Sequence, residues 1–97
     1  MKTDDKAIAD GIVAAIGGVD NIRAVGHCST RLRLTLHDKT KVDEAAIEDI
    51  EGVKGQFFAG EQYQVILGTG LVNRVYDIVA GENQGGVNTD IKADGNV

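Results

Sequence analysis

The stretch from Arg31 to His37, RLRLTLH, constrains the fold more than any other part of the chain, because polar and apolar residues alternate through it without a break. Successive side chains of a β-strand point to opposite faces of the sheet. Leu32, Leu34 and Leu36 are therefore predicted to share one face, while two arginines, a threonine and a histidine share the other. This pattern predicts a half-buried strand whose outer face is cationic.

Other sequence patterns predict the elements that pack around this strand. Isoleucines spaced four residues apart indicate an amphipathic helix, and an acidic residue before an apolar run indicates a helix N-cap. In chain order we predict first a helix over 4–16 that Gly17-Gly18 stops, then a strand over 24–27 and the alternating strand. A short helix follows, from an N-cap at Asp43 to about Glu51, and Gly52 closes it. Two strands in VKGQFF and QYQVILG are joined through Ala59-Gly60-Glu61, and a last helix begins after Gly68-Thr69-Gly70 and ends at Gly81.

Hairpin-linked strands pair antiparallel, and amphipathic helices cover one face of such a sheet. The expected fold is therefore of the α+β class. It is a two-layer sandwich of a four-stranded antiparallel sheet with three helices on one face, in the order α-β-β-α-β-β-α. The other face of the sheet is left partly open and carries the arginines.

Residues 82–97 differ in composition from the rest of the chain. They contain no aromatic residue and no apolar periodicity, which is typical of a linker or tail. We therefore predict one domain over 1–81 and a flexible tail over 82–97. No apolar run approaches the roughly 18 to 20 residues that a spanning helix needs, so we expect a cytoplasmic domain that does not itself insert into a membrane.

Charge is distributed unevenly along the chain. The formal net charge is -5, which argues against a generally basic surface for nucleic acid. Five of the 10 lysines and arginines nevertheless lie between positions 21 and 42. The only cysteine, Cys28, lies in the same segment, and a single cysteine has no partner for an internal disulfide.

Cys28-Ser29-Thr30 is predicted as the tight connection between two strands, with the thiol above the cationic face. Nearby cationic groups favour the nucleophilic thiolate. Arg31 and Arg33 project to one side of their strand, where their planar guanidiniums could hold phosphate oxygens bidentately. The backbone amides of Ser29, Thr30 and Arg31 could add an anion nest. The segment predicts a cysteine that accepts and donates a phosphoryl group. This chemistry depends on positioning and charge, and no metal or cofactor is expected.

Other interpretations stay open on the residues alone. A cysteine-dependent phosphatase carries an arginine six residues after its cysteine, whereas position 34 is Leu and Arg33 falls one residue short. A cysteine hydrolase needs a histidine base, and His27 is adjacent in sequence and makes a poor dyad. A lone cysteine is often buried apolar filling. An anion-binding or regulatory module would hold phosphate and transfer nothing.

Several motifs match the hallmark of one known family. They are Gly17-Gly18, Asn21-Ile22, the run CSTRLR over 28–33, and the later segments GVKGQF and QYQVILGTG. On these residues, over about 5 to 80, the chain resembles the enzyme IIB (EIIB) domain of the bacterial phosphoenolpyruvate-dependent sugar phosphotransferase system (PTS), in the glucose and sucrose/β-glucoside superfamily. The fold of that family agrees with the predicted pattern.

The resemblance implies a phosphotransferase. Cys28 would accept phosphate from a phosphohistidine of an EIIA domain and donate it to a sugar carried by a membrane EIIC domain. Arg31 and Arg33 would stabilise the phosphocysteine and its transfer. EIIA and EIIC are the implied partners, and the domain would work at the cytoplasmic face of the cell membrane.

The resemblance also brings in residues beside the cysteine. Thr30 matches a threonine next to the site, and Gln64 with Gly68 matches a Q-x-I-x-G element. Gln64 and His27 are candidates for tuning the site. The tail would lead toward EIIC, an order that resembles sucrose, trehalose and β-glucoside transporters, although the sugar itself is expected to be selected by EIIC.

Overall fold

The computed structural model describes residues 4–82 and contains three helices and four strands. The elements are α1 (Asp5–Ala15), β1 (Ile22–His27), β2 (Arg31–Leu36), α2 (Glu44–Glu48), β3 (Gly55–Ala59), β4 (Gln62–Ile66) and α3 (Leu71–Glu82), with short 3-10 turns at Val19–Asn21 and Lys39–Lys41. The predicted order α-β-β-α-β-β-α is confirmed. Apart from Glu82, which ends α3, the predicted tail lies outside the described residues.

The four strands form one antiparallel sheet in the order β1-β2-β4-β3. Leu32 lies opposite Val65, and Leu34 lies opposite Tyr63. These side chains share the face that the helices cover. The intervening residues of each strand face the other way, so the predicted fold class and the predicted alternation are both confirmed.

The core lies between the sheet and the helices. Leu32, Leu34, Tyr63 and Val65 are 0% exposed. From the helical layer, the core includes Ile8, Ala9, Ile12, Ile47, Val72, Val75 and Val79. Apolar burial at about 25 cal/mol per Å² is the main contribution to the stability of such a layer.

Helix α1 is one residue shorter at each end than the predicted 4–16, and Gly17-Gly18 stops it as predicted. Asp4 Oδ1 accepts a hydrogen bond of 2.8 Å from the amide of Ala7, which makes Asp4 the N-cap. At the other end, Gly17 has a φ of 103°, and the amide of Gly18 donates to the carbonyl of Val13 at 2.8 Å. A Cβ at Gly17 would lie 2.9 Å from Lys41 Cβ, so a side chain there would be both strained and crowded.

Several predicted boundaries are wrong, among them that of β3, which spans Gly55–Ala59 and not 53–58, and that of β4, which ends at Ile66 and not at Gly68. Helix α2 has the predicted N-cap, because Asp43 Oδ1 accepts from the amide of Ala46 at 3.1 Å, but it ends at Glu48 and not near Glu51. After Glu48 the amide of Ile50 bonds three residues back, to Ile47, which tightens the chain into turns. Strand β1 begins at Ile22, ahead of the predicted 24–27, through a register shift between Ile22 and Ala24. Helix α3 continues one residue past Gly81.

Asn21 connects the end of α1 to the end of β2. It is 4% exposed, and its Nδ2 donates to the carbonyls of Ile16 at 2.7 Å and Asp38 at 2.9 Å. Its Oδ1 accepts from the amide of Asp38 at 2.9 Å. All hydrogen-bonding groups of one buried amide side chain are thus used to fix the start of the first hairpin.

Candidate functional site

Residues 28–30 form the connection between β1 and β2, as predicted. The loop is closed by the amide of Cys28, which donates to the carbonyl of Arg31 at 3.0 Å. The carbonyl of Thr30 accepts two hydrogen bonds, from the amides of Leu67 at 2.9 Å and Gly68 at 3.0 Å. The cysteine loop is therefore tied to the segment that enters α3, where Gly68 has a φ of 91°.

The Cys28 thiol is partly exposed and lies on this loop. Hydrogen bonds from the backbone amide of Thr30, then from that of Arg31, and then from the side chain of Arg33 lower the pKa of the thiol to about 7. The positive charge of Arg33 acts in the same direction. A thiol with this pKa is partly ionised at neutral pH, and the thiolate is the nucleophilic form.

Arg33 is the guanidinium that acts on the thiol. In the sheet it lies between Gly26 on β1 and Gln64 on β4. Its Nε is buried and has no hydrogen-bond partner within residues 4–82. A buried donor without a partner is unfavourable for folding and is uncommon in native proteins, so it calls for an explanation.

Arg31 is held by other side chains. Its Nη1 donates to Gln64 Oε1 at 3.2 Å, and its guanidinium lies over the ring of Phe57, 5.1 Å from the ring centroid. Gln64 is 5% exposed, and its Nε2 donates to Gln62 Oε1 at 3.1 Å. The guanidinium of Arg31, unlike its backbone amide, is not among the groups that lower the pKa of the thiol.

His27 lies on the opposite side of the sheet from the arginines. It pairs with Leu32 across the first hairpin, and its ring packs against that of Tyr76 on α3, with centroids 4.5 Å apart. Its Nδ1 lies 3.0 Å from the carbonyl oxygen of Cys28. The structure thus brings His27 to the backbone of the cysteine, while its ring packs on the helical side.

Of the remaining predicted residues, one contributes to the environment of the thiol and the others do not. Thr30 contributes its amide to the thiol and its carbonyl to the loop anchor, whereas Ser29 is exposed and is not among the groups that lower the pKa of the thiol. His37 is exposed just beyond the end of β2. Across residues 4–82 no helix is long and apolar enough to span a bilayer, and no cluster of three metal-ligating side chains is found.

Comparison with known proteins places this arrangement in a family. The family model for the phosphotransferase system, EIIB, matches residues 10–43, which include the cysteine loop and both arginines. A crystal structure of one domain of the PTS system IIabc component from Clostridium difficile superposes with a TM-score of 0.81 at 39% identity, covering 96% of this chain and 95% of that one. The chain belongs to the phosphotransferase system EIIB family.

Curated relatives of the EIIB domain are larger proteins. The sucrose-specific EIIBC component of Bacillus subtilis is 47% identical over 79 residues, which are 81% of this chain and 17% of that protein. The trehalose-specific EIIBC component of the same organism is 51% identical over 65 residues, 67% of this chain and 14% of that protein. The EIIB domain therefore spans about a sixth of the length of these relatives.

Sequence reasoning missed three side chains that contact the predicted site residues of the EIIB domain. Phe57 lies under the guanidinium of Arg31, Gln62 fixes the amide of Gln64, and Tyr76 packs on the ring of His27. The alternation in QYQVI puts Gln62 and Gln64 on one face of β4. Nothing in the sequence indicates which strand pairs with β2, so the contact with Arg31 could not be found there.

Proposed function

We propose that this EIIB domain is the phosphoryl-transfer domain of a sugar-specific PTS transporter, a phosphotransferase of the EC 2.7.1 class. Cys28 accepts a phosphoryl group from a phosphohistidine of an EIIA domain and donates it to a sugar carried by an EIIC domain. The observation that carries this proposal is the lowered pKa of a partly exposed thiol that lies among two backbone amides and Arg33, in a chain of the EIIB family.

The first transfer forms a P–S bond and breaks a P–N bond. The thiolate of Cys28 attacks the phosphorus of the phosphohistidine, and the electron pair of the P–N bond returns to the imidazole nitrogen. Arg33 and the amides of Thr30 and Arg31 already favour negative charge at this position. They stabilise the charge on the phosphoryl oxygens as the group moves, which is the main requirement of phosphoryl transfer.

The second transfer breaks the P–S bond. A general base of the proposed EIIC domain takes the proton of a sugar hydroxyl, the hydroxyl oxygen attacks phosphorus, and the electron pair of the P–S bond returns to sulfur as thiolate. Because the pKa of the thiol is lowered, the thiolate is a better leaving group than an ordinary cysteine. The same groups therefore assist both steps without trapping the phosphocysteine.

The relatives support the choice of partners. Several are EIIBC components specific for sucrose, and one is specific for trehalose. We propose a membrane EIIC domain as the acceptor partner, an EIIA domain as the donor, and a position at the cytoplasmic face of the cell membrane. Residues 82–97 would serve as the linker toward EIIC, and a disaccharide of the sucrose or trehalose type is the proposed cargo.

The test is the intact mass of the chain after incubation with phosphoenolpyruvate, enzyme I, the phosphocarrier protein and an EIIA domain, beside the matched variant Cys28→Ser. A gain of about 80 Da, labile to iodine and absent from the variant, is expected for one phosphocysteine. Release of inorganic phosphate without a mass gain would indicate a phosphatase. No mass gain and no released phosphate with several competent EIIA donors would leave an anion-binding module.

A further inference from the structure

The two arginines beside the thiol are held in different ways. Arg33 acts on the thiol of Cys28 and has a buried Nε without a partner within residues 4–82. Arg31 is only two residues away on the same face of β2, yet its guanidinium is bound at an edge by Gln64 and at a face by Phe57. The two arginines have different contact partners, so they are not equivalent.

We propose that Gln64 and Phe57 are positioning residues that hold the Arg31 guanidinium away from the free thiolate and orient it toward the phosphoryl group of phosphorylated Cys28. Arg33 is then the guanidinium partner of the free thiolate, and Arg31 acts only when the dianionic phosphoryl group is present. This inference rests on the proposed function, and it assigns separate steps to the two arginines.

Strand pairing and hydrogen bonding determine how Gln64 contacts Arg31. Gln64 lies directly between Arg33 on β2 and Phe57 on β3, so Arg31 reaches it along the diagonal of the sheet. Because Nε2 of Gln64 donates to Gln62, its Oε1 is directed at Nη1 of Arg31. The amide therefore presents its oxygen, and not its nitrogen, to the guanidinium of Arg31.

Phe57 supplies the second contact. A guanidinium over an aromatic face is attracted by the ring quadrupole and keeps its edge N–H groups free for other acceptors. One edge of Arg31 is used by Gln64, and its remaining donors, which have no side-chain partner within residues 4–82, are left for a phosphoryl oxygen. Without the ring and the amide, the long side chain would search several rotamers before each transfer, which slows the reaction.

The kinetic test compares Phe57→Leu and Gln64→Leu with the matched control Phe58→Leu, which makes the same change one residue along β3. Phe58 faces Tyr63 on the helical side, with ring centroids 4.8 Å apart. We expect Phe57→Leu and Gln64→Leu to slow phosphorylation of Cys28 by phosphorylated EIIA about fivefold, while Phe58→Leu keeps the wild-type rate. Phe57→Tyr retains the ring and should restore the wild-type rate.

A second readout separates positioning from general damage to the fold. The pKa of the thiol, measured from the pH dependence of alkylation, should not rise in Phe57→Leu or Gln64→Leu, because an Arg31 released from these contacts adds positive charge near the thiolate and can only lower that pKa. Equal slowing by Phe58→Leu, no rescue by Phe57→Tyr, or a thiol pKa that rises together with the loss of rate would each overturn the proposal.

A third readout does not depend on phosphorylation, so it distinguishes failure of this inference from failure of the proposed function. The Nε–H resonances of both arginines are followed by NMR in the full chain as the thiol is titrated. We expect the resonance of Arg33 to move with the thiol while that of Arg31 stays still, and Arg31 to respond in the double variant Phe57→Leu/Gln64→Leu. A response of Arg31 in the wild-type chain would overturn the inference even if Cys28 is phosphorylated.

Discussion

The two faces of the sheet are formed by the same strands, but the side chains on one face are fully packed while polar groups on the other lack hydrogen-bond partners within residues 4–82. On the helical face, Leu32 and Leu34 are 0% exposed and packed in the core. On the open face, Arg33 has a buried donor without a partner within residues 4–82, and Arg31 is held by contacts that leave donors free. The helical face is fully packed, whereas the open face keeps unpaired donors within residues 4–82, as the proposed binding of a phosphoryl group requires.

Within a single strand, residues on one face therefore contribute to stability, and residues on the other face affect the chemistry of the thiol. Side chains on the helical face contribute to the free energy of unfolding through apolar burial. On the open face, Arg33 acts with the backbone amides of Thr30 and Arg31 to lower the pKa of the Cys28 thiol, and the hydrogen bonding of its own Nε is less favourable than folding alone would select. Substitutions at alternating positions of β2 should therefore have different consequences.

Leu34→Ala is expected to have the largest effect on stability. It should lower the free energy of unfolding by about 2 to 5 kcal/mol, because it leaves a cavity at a fully buried position. Urea denaturation measures this loss, and alkylation below the transition should show an unchanged pKa of the Cys28 thiol. A large shift of that pKa in the folded variant would mean that the two faces are coupled.

Asn21→Ala should have the next largest effect. It removes a buried side chain that makes three hydrogen bonds to the backbone and leaves the groups of Ile16 and Asp38 without these partners. We expect a loss of about 1 to 3 kcal/mol, measured by urea denaturation. Because Asn21 lies at the far end of the first hairpin, the alkylation rate of Cys28 should stay at the wild-type value. Slower alkylation would show that the whole hairpin, and not its loop, positions the thiol.

Arg33→Met should change stability by no more than about 0.5 kcal/mol, since it removes a donor that has no partner in the described chain. Its chemical effect should be clear, because the pKa of the Cys28 thiol should rise when a hydrogen bond and a positive charge are lost. The paired measurements are urea denaturation and the pH dependence of alkylation. A loss of stability as large as that of Leu34→Ala would mean that Arg33 is a structural residue.

The thiol itself should have the smallest effect on stability, because it is partly exposed to solvent. Its folded pKa of about 7 lies below the ordinary value, so ionisation favours the folded state. This contribution is fully present above the ordinary pKa of the thiol and is lost as the pH falls through about 7. The stability of the wild-type chain relative to Cys28→Ala should therefore be greater at pH 9.5 than at pH 6. The opposite sign would mean that the fold disfavours the thiolate.

Local signals in the sequence were sufficient for most of the fold. The alternation in RLRLTLH identified β2 and both of its faces, and Asp43 identified the start of α2. The end of α2 was not predictable, because the apolar Ile50 fits both a helix and the tighter turns that follow Glu48. The start of β1 at Ile22 was missed because a register shift interrupts the period of two.

The candidate site was predictable where its residues are close in sequence. Cys28, Arg31 and Arg33 lie within six residues, and the strand period alone places the arginines on one side. Gln64 and Phe57 reach Arg31 only through the pairing of β2 with β4 and of β4 with β3. Such register depends on long-range pairing, and no local pattern encodes it.

The paired hydrogen bonds on the carbonyl of Thr30 make the cysteine loop observable in solution. The amides of Leu67 and Gly68 both donate to that carbonyl, so their protons exchange with water only when the loop separates from the entry to α3. Their exchange rates would report how often the loop opens. If they exchange as slowly as the amides of β4, the proposed EIIA and EIIC partners would meet the same preformed surface at every encounter.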